Sequence, residues 1–179
     1  MQVMGLSRRG YWLCWLLYHF LLTTVISLIC AGILSSKVLP NCSFGLLFLL
    51  LWLYGLAHFG YVLLMQSFFS TPRLAAIVTT LIFFFTSFLD QAVASHALPG
   101  WHKTLGSLLP TVAVACAMRN IMVFDRSGLG LQTFNVNTEY YGHRVSTSLG
   151  LLVLSGVTMG VLGLINDSVR WDRQKEVQS

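Results

Sequence analysis

Hydrophobic positions along this chain are not periodic; they run in long uninterrupted blocks. From Gly10 to Ser36, from Val38 to Pro72 and from Val145 to Asn166 there is no Asp, Glu, Lys or Arg. Each block exceeds the roughly 20 apolar residues that cross a bilayer as a helix. The pattern predicts spanning helices over 10–35, 44–69, 73–95 and 145–166. Tyr11, Trp12, Trp15 and Tyr18 open the first block, as interfacial aromatics do. Thr71 and Pro72 suit the cap and first position of the third helix. A further block over 104–124 is broken by Gly106, Ser107 and Pro110. The proline is expected to kink it, because its ring removes a backbone hydrogen bond. A polar segment over 125–144 follows as an outer loop, and 167–179 is a polar tail expected to fray at a cytosolic end.

Composition narrows the class to an all-α polytopic membrane protein. Of the 179 residues 55% are hydrophobic and 9% charged, against about 25% charged in soluble domains. The apolar blocks use nearly the whole length, leaving no room for a soluble catalytic domain. Arg8 and Arg9 precede an apolar run too long for the roughly 7–15 residues of a signal-peptide core, so that run is a retained span. The net charge of +5 comes from scattered Lys and Arg. Without a basic stripe it does not indicate nucleic acid, and these residues read instead as topology markers.

If the 104–124 block is a re-entrant hairpin, Arg8, Arg9, Arg73, Arg170, Arg173 and Lys175 share the cytosolic side. Lys37, Lys103, Arg126 and Arg144 then lie outside, six against four. If the block crosses, the balance is five against five. The positive-inside rule prefers the hairpin and a cytosolic N-terminus.

Candidate chemistry is sparse. Asp90 and Arg119 are the ionisable residues other than His within apolar blocks, and such residues mark functional sites by default. The alternative is that both reach the interface from near a helix end. His19 and His58 lack helical partners and are expected to pack as hydrogen-bonded helix contacts. His96 and His102 flank Pro99-Gly100-Trp101 without a nearby carboxylate or thiol, a weak metal signal. Cys14, Cys30, Cys42 and Cys116 share no CxxC spacing and read as small core residues. Gly156 and Gly160 form a GxxxG step, which Gly163 extends into a helix-packing stripe. No P-loop occurs, since Lys37, Lys103 and Lys175 do not follow glycine. No catalytic, cofactor-binding or metal-binding set emerges.

Five stretches in chain order resemble the membrane domain of the A subfamily of ABC transporters. Met1-Gln2-Val3-Met4-Gly5-Leu6 with Tyr11-Trp12-Leu13-Cys14-Trp15 resembles the end of its cytosolic coupling helix and the following span. Ser67-Phe68-Phe69-Ser70 with Leu74-Ala75-Ala76 resembles the link between its fourth and fifth spans. Ser107-Leu108-Leu109-Pro110 resembles the entry to its re-entrant hairpin. Gly128-Leu129-Gly130-Leu131-Gln132 with Asn135 resembles its outer loop, and Asp167-Ser168-Val169 its Asp-x-Val after the sixth span.

The resemblance implies an ABC-2, type V exporter-like bundle comprising spans three to six of one half, with a re-entrant hairpin before the last span. It also implies a coupling-helix remnant at 1–9, including Met1, Met4, Gly5 and Leu6. A lipid or sterol would be the substrate, and a second membrane half and nucleotide-binding domains the partners. ATP would bind on those domains, outside this chain, which would be a fragment or a degenerate relative. Thr133 replaces the family's Trp, and Arg170-Trp171-Asp172 follows where Pro-Gly is usual. The competing readings are a small polytopic scaffold or accessory protein without transport activity, and a membrane-embedded enzyme, for which no acid-base pair is visible.

Overall fold

A computed structural model describes residues 8–69, 71–93, 100–139 and 143–178. They form helices α1 (Arg8–Ile33), α2 (Phe44–Phe68), α3 (Pro72–Val93), α4 (Gly100–Gly106), α5 (Pro110–Arg126) and α6 (Val145–Gln178). The fold is all-α and polytopic. Helical segments Trp12–Val38, Phe44–Phe68 and Val145–Val169 are long and apolar enough to cross a membrane. The apolar stretch of α3, Arg73–Leu89, is shorter.

Three boundaries differ from the sequence pattern. A π-helical turn, Leu34–Val38, continues the helix past the expected end at residue 35, and Leu39 closes it by donating to the Leu34 carbonyl at 2.7 Å. Continuous helix to Gln178 replaces the expected frayed tail. Pro110 starts a helix instead of kinking one. Its predecessor Leu109 is extended, at φ −82° and ψ 125°, as the steric demand of the proline ring requires. The missing N–H of Pro110 costs nothing at a first helical position. The 104–124 block thus resolves into two helices joined through Ser107–Leu109.

α2 and α6 make the most extensive contact; α1 lies against α2, and α5 packs on α6 and α3. Chain direction puts the π-helical turn, the start of α2, the end of α5 and the start of α6 at one end, termed the loop end. The C-terminal end of α2 and the lower part of α6 meet at the opposite, basal end, where Asn166 Nδ2 donates to Ser67 Oγ at 3.0 Å. Most of the fully buried core, including Leu47, Leu50, Ala113, Ala117, Ile121 and Leu131, gathers near the loop end. α1 turns much of its apolar surface outward, with Leu13 66% exposed. Such a surface is at home in lipid, where apolar exposure carries no penalty.

Candidate functional site

Three features organise the bundle, the first a glycine seam between α2 and α6. A Cβ on Gly60 would lie 2.5 Å from the Gly156 carbonyl oxygen and 3.1 Å from the Gly160 nitrogen. One on Gly156 would meet Ala57 Cα at 3.0 Å, and one on Gly163 would meet Leu63 C and Leu64 N at 2.8 Å. Gly160 has more room, 3.8 Å to Gly60 Cα. Backbone meets backbone here, the use small residues have in membrane helix pairs.

The second feature is a clasp at the loop end. The Asn41 backbone N–H donates to Asp125 Oδ1 at 3.1 Å, and Gln132 Nε2 donates to the Asn41 carbonyl at 3.0 Å. Cys42 lies buried between these groups. Its Sγ accepts the Leu131 N–H at 3.1 Å, and its thiol points to Asp125 Oδ1 at 3.7 Å. Ser43 N–H donates to the Leu131 carbonyl at 2.8 Å. Asn135 caps the turn from within, Nδ2 donating to the Gly130 carbonyl at 2.7 Å and Oδ1 accepting from Gln132 N–H at 2.9 Å. Nearby, Asn120 Nδ2 donates to the His143 carbonyl at 2.9 Å, and His143 Nε2 pairs with Ser148 Oγ at 2.7 Å. Burial, reinforced by the Lys103 charge, holds the His143 imidazole below its usual value.

The third feature is a cleft of about 510 Å³ between α2 and α3, lined by His58, Gln66, Thr79 and Phe83 among others. A smaller cavity of about 10 Å³ shares the His58 and Phe83 walls and reaches Tyr61, Leu109 and Pro110. The turn between α4 and α5 therefore sits beside the middle of α2, while the end of α5 returns to Asn41 at the loop end.

The sequence candidates distribute unevenly over these features. Gly156, Gly160 and Gly163 all lie on the seam. Arg119 is partly buried on α5, next to Asn120. Asp90 lies on α3, its side chain outside the described residues, as are Met1, Met4, Gly5, Leu6 and His96. His19 packs as its setting suggests, with Nε2 3.2 Å from the Gly55 carbonyl and its ring stacked on Phe59. His58 does not: its Nδ1 is buried with no hydrogen-bond partner. Among the described residues no group of three potential ligands is placed to hold a metal. Cys14 and Cys30 are exposed on α1, so the small-core reading fits Cys42 and Cys116 alone.

Residues 1–165 match the family described as ABC-2 family transporter protein. The chain belongs to this ABC-2 family. Among similar proteins, ATP-binding cassette sub-family A member 17 of Mus musculus is 23% identical over 94% of this chain and 10% of its own length. The human phospholipid-transporting ATPase ABCA7 is 29% identical over 90% of this chain and 8% of its own length. The human glucosylceramide transporter ABCA12 is 28% identical over 78% of this chain and 6% of its own length. This ABC-2 chain thus spans a tenth or less of the length of these relatives.

Sequence reasoning passed over Asp125, Tyr61 and Thr79 and read Cys42 as a small core residue without its clasp partners, because the partners or neighbours of all four lie on other elements. Cys42 supplies a direct check on the clasp. Burial pushes its thiol up, and the Asp125 carboxylate adds to this against the opposing Leu131 N–H. Since the thiolate is the reactive form, a hydrophilic maleimide at pH 7.5 is expected to modify Cys42 at least ~10-fold more slowly in folded than in denatured protein. Peptide mass spectrometry reads the rate, and equal rates would mean that the clasp is open in solution.

Proposed function

We propose that this chain is a membrane-domain portion of an A-type ABC transporter that exports or flips a lipid or sterol, driven by nucleotide-binding domains outside the chain. The observation that carries this reading is the α4–α5 hairpin within an ABC-2 domain. Its turn lies beside the middle of α2, and its far end returns to the loop end, which supports a hairpin that enters and leaves on one face. Non-helical backbone is tolerated at that depth because protein covers it: Ser107 is fully buried and donates through Oγ to the Lys103 carbonyl at 2.7 Å. Relatives named for phospholipid and glucosylceramide transport support a lipid substrate.

In this reading α1, α2, α3 and α6 cross the bilayer, and the N-terminus is cytosolic. Met1, Met4, Gly5 and Leu6 end the coupling helix that passes motion from the ATPase domains. A second membrane half completes the assembly.

The test is a chimera in which residues 1–165 replace the matching segment of human ABCA7. Reconstituted in vesicles, it is expected to translocate a fluorescent phospholipid in an ATP-dependent manner. A chimera that reaches the cell surface and hydrolyses ATP but moves no lipid would overturn the transport role. Topology has its own reporter: a glycosylation site appended after Ser179 is expected to stay unmodified in microsomes. Full modification would mean that the hairpin segment crosses.

A further inference from the structure

The turn that closes the clasp is held by hydrogen bonds, yet it shows two large apolar side chains outward. Within 127–139, Leu129 is 61% and Phe134 76% exposed. The bonds that fix their neighbours fix this display as well. Gly128 and Gly130, both at positive φ, bend the backbone on either side of Leu129. Leu131 and Asn135 are buried, and Asn135 Nδ2 donates to the Gly130 carbonyl at 2.7 Å.

The depth of this turn follows from where it is tied. The Leu131 carbonyl accepts the Ser43 N–H at 2.8 Å, one residue before α2 begins at Phe44. The Val136 carbonyl accepts the Ser146 N–H at 3.2 Å, in the first turn of α6. The membrane-length apolar segments of both helices start there, at Phe44 and Val145. Each polar layer of a bilayer is about 5–8 Å deep beyond the hydrocarbon core, so a turn tied to two span ends lies at headgroup level. Lys37, Arg126 and Arg144 are exposed at the same end, cations that suit a layer of lipid phosphates. Two apolar side chains on one short turn, beside the exposed Thr133, Asn137 and Thr138, offer far less than the roughly 800 Å² that a stable protein partner covers. A bilayer takes such side chains singly.

We propose that the 127–139 turn is a membrane-interface anchor, with Leu129 and Phe134 seated where headgroups meet acyl chains in the leaflet at the loop end. The anchor rests on α2 and α6 crossing the bilayer, as read above, and not on lipid transport. Because the same turn grips Asn41 through Gln132, its seat ties the clasp to one leaflet.

The test introduces Leu129→Cys, Phe134→Cys or Val157→Cys into the full chain carrying Cys14→Ser and Cys30→Ser, with buried Cys42 and Cys116 left in place. The chain without an added cysteine corrects for residual labelling. Each protein carries the dye NBD in phosphatidylcholine nanodiscs and meets three quenchers: aqueous iodide, a lipid spin-labelled near its glycerol, and one spin-labelled near its chain end. Val157, 60% exposed at the middle of the α6 apolar segment, is the deep reference. At Leu129 and Phe134 the shallow spin label is expected to quench about two-fold more than the deep one. Iodide is expected to reach both positions at least about three-fold less than in denatured protein. At Val157 the deep label is expected to dominate. Iodide quenching at both loop positions equal to that in denatured protein would overturn the anchor, since the turn then stands in water. Protection from iodide without quenching by either lipid would also overturn it, in favour of a covering protein. Iodide access at Val157 would instead remove the spanning reading, and the anchor with it. The two loop positions report independently, so a variant that fails to fold leaves the other to decide.

Discussion

Gly60→Leu is expected to separate α2 from α6 and leave the chain unable to hold a monodisperse fold in detergent. A side chain at Gly60 does not meet flexible side-chain tips that swing away; it meets the Gly156 carbonyl oxygen at 2.5 Å and the Gly160 nitrogen at 3.1 Å. Main-chain atoms within a helix move only with the helix. Overpacking in cores costs about 1–3 kcal/mol, and forcing two helices apart along their largest contact puts the expected loss at the top of that range or above it. The same geometry ranks the other glycines. Gly156→Ala is strained against Ala57, whereas Gly160→Ala has ordinary contact distance to Gly60 and is tolerated. Gly150 faces open space, so Gly150→Ala is neutral or raises stability by up to about 1 kcal/mol through helix propensity. Thermal melts followed by size-exclusion chromatography compare the series. A Gly60→Leu protein that melts like Gly150→Ala would show that the seam is not where the helices meet.

Gly130→Ala carries the second large effect. Gly130 has φ +61°, a left-handed conformation, and a Cβ there would run into the Asn41 carbonyl oxygen. Backbone strain and collision act together, for an expected loss of about 2–4 kcal/mol. Gly128, at φ +77° in open space, isolates the first contribution; Gly128→Ala is expected to cost about 1 kcal/mol. The difference between the two variants therefore measures the contact with Asn41. It also has a local readout, because loss of the clasp exposes residues 127–139 to protease. Equal melting temperatures and equal cleavage for the two variants would remove Asn41 as the cause.

What the sequence made legible follows from how far each signal reaches along the chain. Charge-free runs mark spans because the bilayer imposes a length on each helix separately. Pro110 marks a break because proline acts on its immediate neighbours, and only the form of the break, a helix start in place of a kink, needed the structure. Gly156, Gly160 and Gly163 advertise a packing face through their spacing on one helix. Their counterpart Gly60 is hidden, since α2 is apolar all round and no periodicity distinguishes one face from another. The clasp is hidden for a different reason. Asn41 and Asp125 stand 84 positions apart, and nothing local to either residue announces the other. Tyr61, His58 and Thr79 are individually ordinary; what singles them out is that each buries a polar atom without a hydrogen-bond partner, a property of the packed bundle alone.

The long reach of the clasp also sets a timetable for biosynthesis. Ribosomes add about 5–20 residues per second, so the 84 positions between Asn41 and Asp125 take roughly 4–17 s to emerge. Throughout that interval the newly inserted α1–α2 pair presents the Asn41 amide groups and the Cys42 thiol at the bilayer edge, where water must stand in for their later partners. The basal contact waits longer, since Ser67 and Asn166 are 99 positions apart and Asn166 is made after Asp125. The two ends of the bundle thus close in a fixed order, the loop end first. A nascent chain arrested with Asn135 emerged and Asn166 still inside the ribosome would already be fastened at its tip and still open at its base.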